Sequence, residues 1–179
     1  MLGAAKLLAD ARCHVICWNG SAGGLVGFER DRALCRDIRS ATGIPATTSS
    51  LALSAQFART GVKRFAMVTL NPPAMNQTIQ ASFATEGYAC VAAAHRNGIA
   101  DNFAMAGVAP EDIMAMAEDC LRGCASLPDA LIIYGTNTRG APVAQALQQK
   151  AGIPVYDSVA WGMIGALREL NLDTGALAG

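Results

Sequence analysis

One ordered run of signals occurs twice in this chain, and the repeat limits the folds open to it. In the first copy the apolar stretch Cys13-His14-Val15-Ile16-Cys17-Trp18 enters a small-residue turn, Asn19-Gly20-Ser21-Ala22-Gly23-Gly24. In the second, Ala130-Leu131-Ile132-Ile133-Tyr134 enters Gly135-Thr136-Asn137-Thr138-Arg139-Gly140. Each copy continues into a helical stretch and then into Gly-Ile-Pro, at 43–45 and at 152–154. Hydroxyl residues and another apolar helix follow each time. Strand, small-residue turn and helix N-terminus is the way an α/β protein offers backbone N–H groups to an anion. An ordered internal repeat of such units predicts two similar halves.

The stretches between the copies fit this pattern. Leu2–Ala11 reads as a helix leading into a strand at 13–18, and a helix is expected from Val26 to Thr42, ended by Gly43. Glu29, Arg30, Asp31, Arg32, Arg36, Asp37 and Arg39 read as its solvated face. Ser49 or Ser50 is the expected cap of a helix over 51–60, and Gly61 stops it. Arg64–Leu70 and Tyr88–Ala94 read as strands, with a helix between them opened by Pro72-Pro73 and ended by Gly87. A looser segment spans His95–Ala109. A helix from Pro110 to about Cys124, the strand 130–134, a helix over 141–150, a short strand at 154–156 and a helix over 158–170 complete the series. Asn171–Gly179 reads as a fraying tail. Strands alternating with helices at this spacing predict an α/β fold with mostly parallel sheets. The expected arrangement is two pseudo-symmetric Rossmann-like lobes with four-stranded sheets, residues 1–70 with 159–179 and residues 71–158. Ligands of such folds sit beyond the carboxyl ends of the strands, so the cleft is expected between the lobes.

Bulk properties narrow the partners. The 14 basic and 14 acidic residues cancel, and with no basic run nucleic acid is not an expected partner. No apolar run approaches the ~20 residues of a membrane span, and the opening residues lack the pattern of a signal peptide. The six cysteines form no Cys-x-x-Cys pair, so reduced thiols and a cytoplasmic location are expected. Two histidines make a zinc site improbable. Neither a metal nor a cofactor is expected.

The motifs resemble those of the aspartate/glutamate racemase superfamily, in particular its maleate isomerase and arylmalonate decarboxylase branch. The matching stretches are Asn19-Gly20-Ser21-Ala22-Gly23, Gly43-Ile44-Pro45-Ala46-Thr47-Thr48, Thr69-Leu70-Asn71, Tyr134-Gly135-Thr136-Asn137-Thr138-Arg139-Gly140 and Gly152-Ile153-Pro154-Val155. The resemblance implies a cofactor-independent isomerase, racemase or decarboxylase of a small carboxylate, working through an enolate-like intermediate. It also implies one or two catalytic cysteines, one per lobe and a single one in the decarboxylase branch, and the two positions hold Asn19 and Gly135 here. Asparagine is no general base at neutral pH, and glycine offers only space and backbone. The tyrosine of a third family element is replaced by Asn71. Members of the branch carry a further strand-helix-strand block ahead of the first strand of this chain, so the first lobe is expected to be incomplete and to associate with other copies.

The candidate site follows. Asn19, Gly135, Ser21 and Asp157 are the catalytic candidates; Gly20, Ser21, Thr47, Thr48, Asn71, Thr136, Asn137 and Ser158 are the substrate-binding ones. Arg139 is read as bracing its loop. Cys17 is a core thiol or a displaced catalytic one, His95 a capping residue or a base, and Tyr134 a packing residue. Two other functions stay open. One is a hydrolase in which Asp157, His95 or Ser21 activates a water at Gly135. The other is a carboxylate-binding relative without turnover.

Overall fold

The computed structural model describes residues 1–99 and 101–178; Ala100 and Gly179, from the looser segment and the tail, lie outside the described residues. Its elements run α1 (Leu2–Asp10), β1 (Ile16–Trp18), α2 (Gly23–Val26), α3 (Phe28–Thr42), β2 (Ala46–Thr48), α4 (Ser49–Thr60), β3 (Arg64–Thr69), α5 (Pro73–Thr85), β4 (Ala89–His95), α6 (Asn102–Ala106), α7 (Pro110–Arg122), β5 (Ala130–Ile133), α8 (Ala141–Ala151), β6 (Val155–Asp157), α9 (Ser158–Glu169) and α10 (Gly175–Ala178).

All strand pairs are parallel. β4-β3-β5-β6 form one sheet and β1-β2 a second. In the larger sheet, alternation sorts the side chains onto two faces. Phe65, Met67, Ile132, Tyr134 and Tyr156 face α4, α5 and α9, where Leu53, Phe57, Ile79, Phe83, Trp161 and Ile164 meet them. Ala66, Val68, Leu131, Ile133 and Val155 face α7 and α8, against Ile113, Ala117, Cys120, Val143 and Leu147. Both faces are covered, so β3 and β5 read as continuous apolar runs. The smaller sheet carries α9 on one side and α3 on the other, over a core of Ala5, Ile16, Ile38 and Ala46.

Several expectations are revised. The smaller sheet has two strands rather than four, and only Ile16–Trp18 of the 13–18 stretch pairs, with Ala46–Thr48. The helix expected from Val26 is two helices, because Gly27 takes φ +91° and breaks the run. The α4 cap is Thr48, whose extended backbone lets its side chain accept the Leu51 N–H at 3.1 Å; Ser49 and Ser50 are already helical. Asp31 is fully buried, not solvated. It lies three residues after the buried Phe28 and seven before the buried Ile38, on the apolar face of α3. β3, whose residues fall in the first segment of the expected division, belongs to the larger sheet with β4, β5 and β6.

Aromatic packing joins the helices to the larger sheet. Phe83 meets Phe28 edge-on at 5.1 Å, Phe65 at 4.9 Å and Tyr134 edge-on at 5.6 Å. Replacing a buried phenylalanine by alanine removes its transfer free energy and leaves a cavity, at a cost of about 3–5 kcal/mol. Phe83→Ala is therefore expected to lower the unfolding free energy by about that amount in chemical denaturation. A loss under about 1 kcal/mol, the range of mild core swaps, would contradict the central position given to this ring.

Candidate functional site

The carboxyl ends of β1, β3 and β5 open onto one cavity of about 160 Å³. Its wall includes Ser21, Ala22 and Leu25 after β1, Asn71 after β3, and Tyr134 to Thr138 after β5, with Asn102 and Met105 of α6 closing one side. The volume is below the ~300–1,000 Å³ of sites for drug-sized ligands, so the space suits a small ligand. None of the lining residues is charged, and Tyr134 is the one ionisable group among them.

Residues of this wall carry polar groups that the fold leaves over. The Ser21 hydroxyl is buried and has no hydrogen-bond partner among the described residues. The amides of Ser21, Ala22, Thr136 and Asn137 donate to no backbone group among the described residues. Buried donors normally find an acceptor, and an anion supplies one. Other amides of the same turns are committed. The Gly24 N–H donates to the Tyr134 hydroxyl at 3.0 Å. The Gly135 N–H donates to Ser158 Oγ at 3.2 Å, and Ser158 Oγ donates to the Ile133 carbonyl at 3.1 Å. The α2 helix, only four residues long, adds no helix N-terminus to the cradle.

Of the residues singled out in the sequence, Ser21, Asn71, Gly135, Thr136 and Asn137 meet at this cavity. The others are placed elsewhere. Asn19 turns to α9, its Nδ2 donating to the Val159 carbonyl at 3.1 Å. Gly20 packs its backbone on the Trp18 indole. The Thr47 methyl points toward Gly165 of α9, and Thr48 caps α4. Asp157 caps α9, its Oδ1 accepting the N–H groups of Val159 at 3.0 Å and Ala160 at 2.9 Å. Its Oδ2 packs against Gly140 at the start of α8. Burial raises the Asp157 pKa, while the amides of the α8 and α9 N-termini pull it down. Arg139 is exposed and borders a separate cavity behind the Gly135 loop. His95 is exposed at the end of β4. Cys17 donates its S–H to the Gly162 carbonyl at 3.3 Å, and burial pushes its thiol up to about 11. Among the described residues no group of three or more metal-ligating side chains occurs.

Tyr134 does more than pack. Its hydroxyl donates to the Ser21 carbonyl at 2.9 Å, accepts the Gly24 N–H, and lies 2.9 Å from Ser50 Oγ. Asp31 lies on the other side of the same glycine pair. Thr48 Oγ1 donates to its Oδ2 at 2.5 Å, while its Oδ1 is buried without a partner among the described residues. A Cβ on Gly23 would sit 2.6 Å from Asp31 Oδ2 and 2.7 Å from Ser50 Cβ; one on Gly24 would sit 2.6 Å from the Tyr134 hydroxyl. The Gly23-Gly24 pair, read above as part of an anion cradle, is the socket for these two side chains. Apolar spacing on α3 marks Asp31, but no local signal marks Tyr134, whose partners lie 84 to 113 residues away.

A parallel α/β fold with an uncharged cavity at the carboxyl ends of its strands is of the doubly wound type, in which that place is where ligands bind. Residues 2–179 match the family described as arylmalonate decarboxylase, and the chain belongs to that family. Its fold is shared with a structure of arylmalonate decarboxylase at TM-score 0.85 and 23% identity, covering 93% of this chain and 73% of that one. It is shared equally with maleate isomerase from Pseudomonas putida S16, at TM-score 0.86 and 20% identity, covering 99% of this chain and 75% of that one. A third likeness is to a cysteine-to-serine mutant of Nocardia farcinica maleate cis-trans isomerase with a covalently bound succinylcysteine intermediate. There the TM-score is 0.83 and the identity 22%, covering 96% of this chain and 71% of that one. Comparison with curated protein sequences gives no match. None of the six cysteines of this chain borders the cavity.

Two predictions follow from the geometry. Gly135 has φ +135°, and a Cβ there would meet Thr138 Oγ1 at 2.9 Å. Gly135→Cys is therefore expected to lower stability by about 1–3 kcal/mol, the cost of a non-glycine residue in such a conformation; an unchanged denaturation midpoint would contradict this. Burial raises the Asp31 pKa, with the Thr48 hydrogen bond opposing. A carboxyl whose native pKa lies above its unfolded value contributes stability that is complete below the unfolded pKa, about 4. That contribution is lost as pH rises through the raised native value. Asp31→Asn is expected to lose this pH-dependent decline, giving a flatter stability profile between acid and neutral pH. Parallel profiles for variant and wild type would contradict it.

Proposed function

We propose that this chain acts on a small carboxylate or dicarboxylate, in a decarboxylation, isomerisation or racemisation that passes through an enolate-like intermediate. The observation that supports the reading best is the unpartnered Ser21 hydroxyl at a cavity lined by free amides of both turns. Asn71, Thr136 and Asn137 add neutral donors. Donors that hold a ground-state carboxylate also hold the negative charge that spreads onto its oxygens when the neighbouring carbon becomes a carbanion. Preorganised donors of this kind lower such a barrier by about 3–4 kcal/mol each at a good site.

For a malonate the balance is simple. The bond between the α-carbon and one carboxyl breaks, carbon dioxide leaves, and the electron pair delocalises onto the retained carboxylate. The proton that completes the product comes from water, because the cavity holds no thiol, carboxylate or imidazole and the Tyr134 proton is engaged by the Ser21 carbonyl. A covalent route like that of the succinylcysteine intermediate of the N. farcinica enzyme has no nucleophilic thiol here. A hydrolase reading fares worse, since Asp157 and His95 both lie outside the cavity.

The same absence of an acid or base supports a second reading, a carboxylate-binding relative without turnover. Thermal-shift titration with malonate and maleate, followed by proton NMR of the ligands in deuterium oxide, separates the two. Binding at 100 times the dissociation constant is expected to stabilise the chain by about 2.7 kcal/mol. Ser21→Ala is expected to weaken binding by about 1.5–3 kcal/mol, the range for a hydrogen bond to a charged group. Conversion of malonate to acetate carrying one solvent deuterium on its methyl carbon marks turnover. Stabilisation without chemical change favours the binder, and no stabilisation by any small carboxylate would contradict both.

A further inference from the structure

We propose that Tyr134 is a positioning residue for this cavity: its hydroxyl ties the Gly135 turn to the Ser21–Gly24 turn and so sets the separation at which a carboxylate is gripped. The proposal rests on the reading of the cavity as a carboxylate site. The two turns belong to different sheets, after β5 and after β1; α9 packs against both sheets, and the Tyr134 hydroxyl adds a direct link between the turns at the cavity. Tyr134 is 1% exposed and its ring is held edge-on by Phe83, so the hydroxyl has a fixed address. That hydroxyl meets the carbonyl of Ser21, the amide of Gly24 and the hydroxyl of Ser50 at 2.9–3.0 Å. Ser21 is thereby held through its own carbonyl while its buried hydroxyl keeps no protein partner among the described residues.

The set of partners balances only for a neutral phenol. The proton goes to the Ser21 carbonyl, and the oxygen receives the Gly24 N–H and is the natural acceptor of the Ser50 O–H. A phenolate would face the Ser21 carbonyl lone pairs; burial, which pushes the phenol up to about 12, keeps the neutral form. On the opposite side the turn is anchored through Asn19 to the Val159 carbonyl of α9. Tyr134 and Asn19 therefore hold the β1 turn from two directions, toward the larger sheet and toward α9. Ser21 lies between the two anchors.

Tyr134→Phe keeps the ring and its packing and removes the tie alone. Two readouts are taken on the full chain: malonate affinity by calorimetry, and amide hydrogen exchange along the whole backbone. The expected result is malonate affinity about tenfold weaker, in line with the loss of hydrogen bonds to buried groups, with exchange over 21–25, read at the hydrogen-bonded amides of Gly24 and Leu25, faster by a similar factor. The amides of β3 and β5 should be unchanged. Ser50→Ala, which leaves two of the three contacts, should give a smaller change in the same direction. Unchanged affinity, unchanged exchange at 21–25, or a uniform rise across the backbone would overturn the proposal, the last marking a residue that only stabilises the fold. If malonate and maleate fail to bind the wild-type chain, the carboxylate reading falls on its own. The exchange at 21–25 then decides the tie: selective acceleration sustains it and unaltered protection overturns it.

Discussion

The contact on which the site depends is the hydroxyl of Tyr134 against the turn after β1. Parallel α/β halves bring their carboxyl ends toward each other, and α9 packs against both sheets; a side chain between the two turns adds a direct link at the cavity. Here one phenol does so, reaching Ser21, Gly24 and Ser50 at once. It can do so because Gly24 has no side chain in the way and because Phe83 fixes the ring. Asp31 and Thr48 pack the far side of the same turn. A buried acid with one unpaired oxygen is costly, and its place behind the turn that presents Ser21 is where such a cost is usually tolerated.

The two positions where relatives of this branch are expected to carry thiols hold structural roles in this chain. Asn19 is a brace to α9, and Gly135 adopts a backbone that a cysteine would strain. The departure is thus built into the backbone and into a side-chain contact, beyond two exchanged atoms. Restoring sulfur at either position would have to displace these interactions first. Under the proposed reading, a cavity of neutral donors without a thiol leaves the protein to hold charge and water to supply protons.

Much of the fold was legible in the sequence because it is written in local signals. The continuous apolar runs at 64–70 and 130–134, the Pro72-Pro73 start of α5 and the glycine stops at 43, 61 and 152 all act over a few residues. The misread boundaries have specific causes. Gly27 interrupts an otherwise helical run through its φ alone, and three consecutive hydroxyl residues, Thr48 to Ser50, left the cap ambiguous. At the site, Ser21, Asn71 and Gly135–Asn137 were legible from their place after strands. Thr47, Thr48 and Ser158 carry the same chemistry, but packing and hydrogen bonds to helix and strand backbone claim them. Asp31 was hidden in a run of charges, where the helical period, not the residue type, marks it as buried. The Tyr134 tie joins residues more than 100 positions apart, beyond any local pattern.

The most direct measurement is a crystal structure of the chain grown with malonate. The account predicts a carboxylate of malonate within hydrogen-bond distance of Ser21 Oγ and of the Thr136 or Asn137 amide, with the Tyr134 hydroxyl still on the Ser21 carbonyl. Malonate bound outside this cavity, with the Ser21 hydroxyl turned to a protein acceptor, would contradict it.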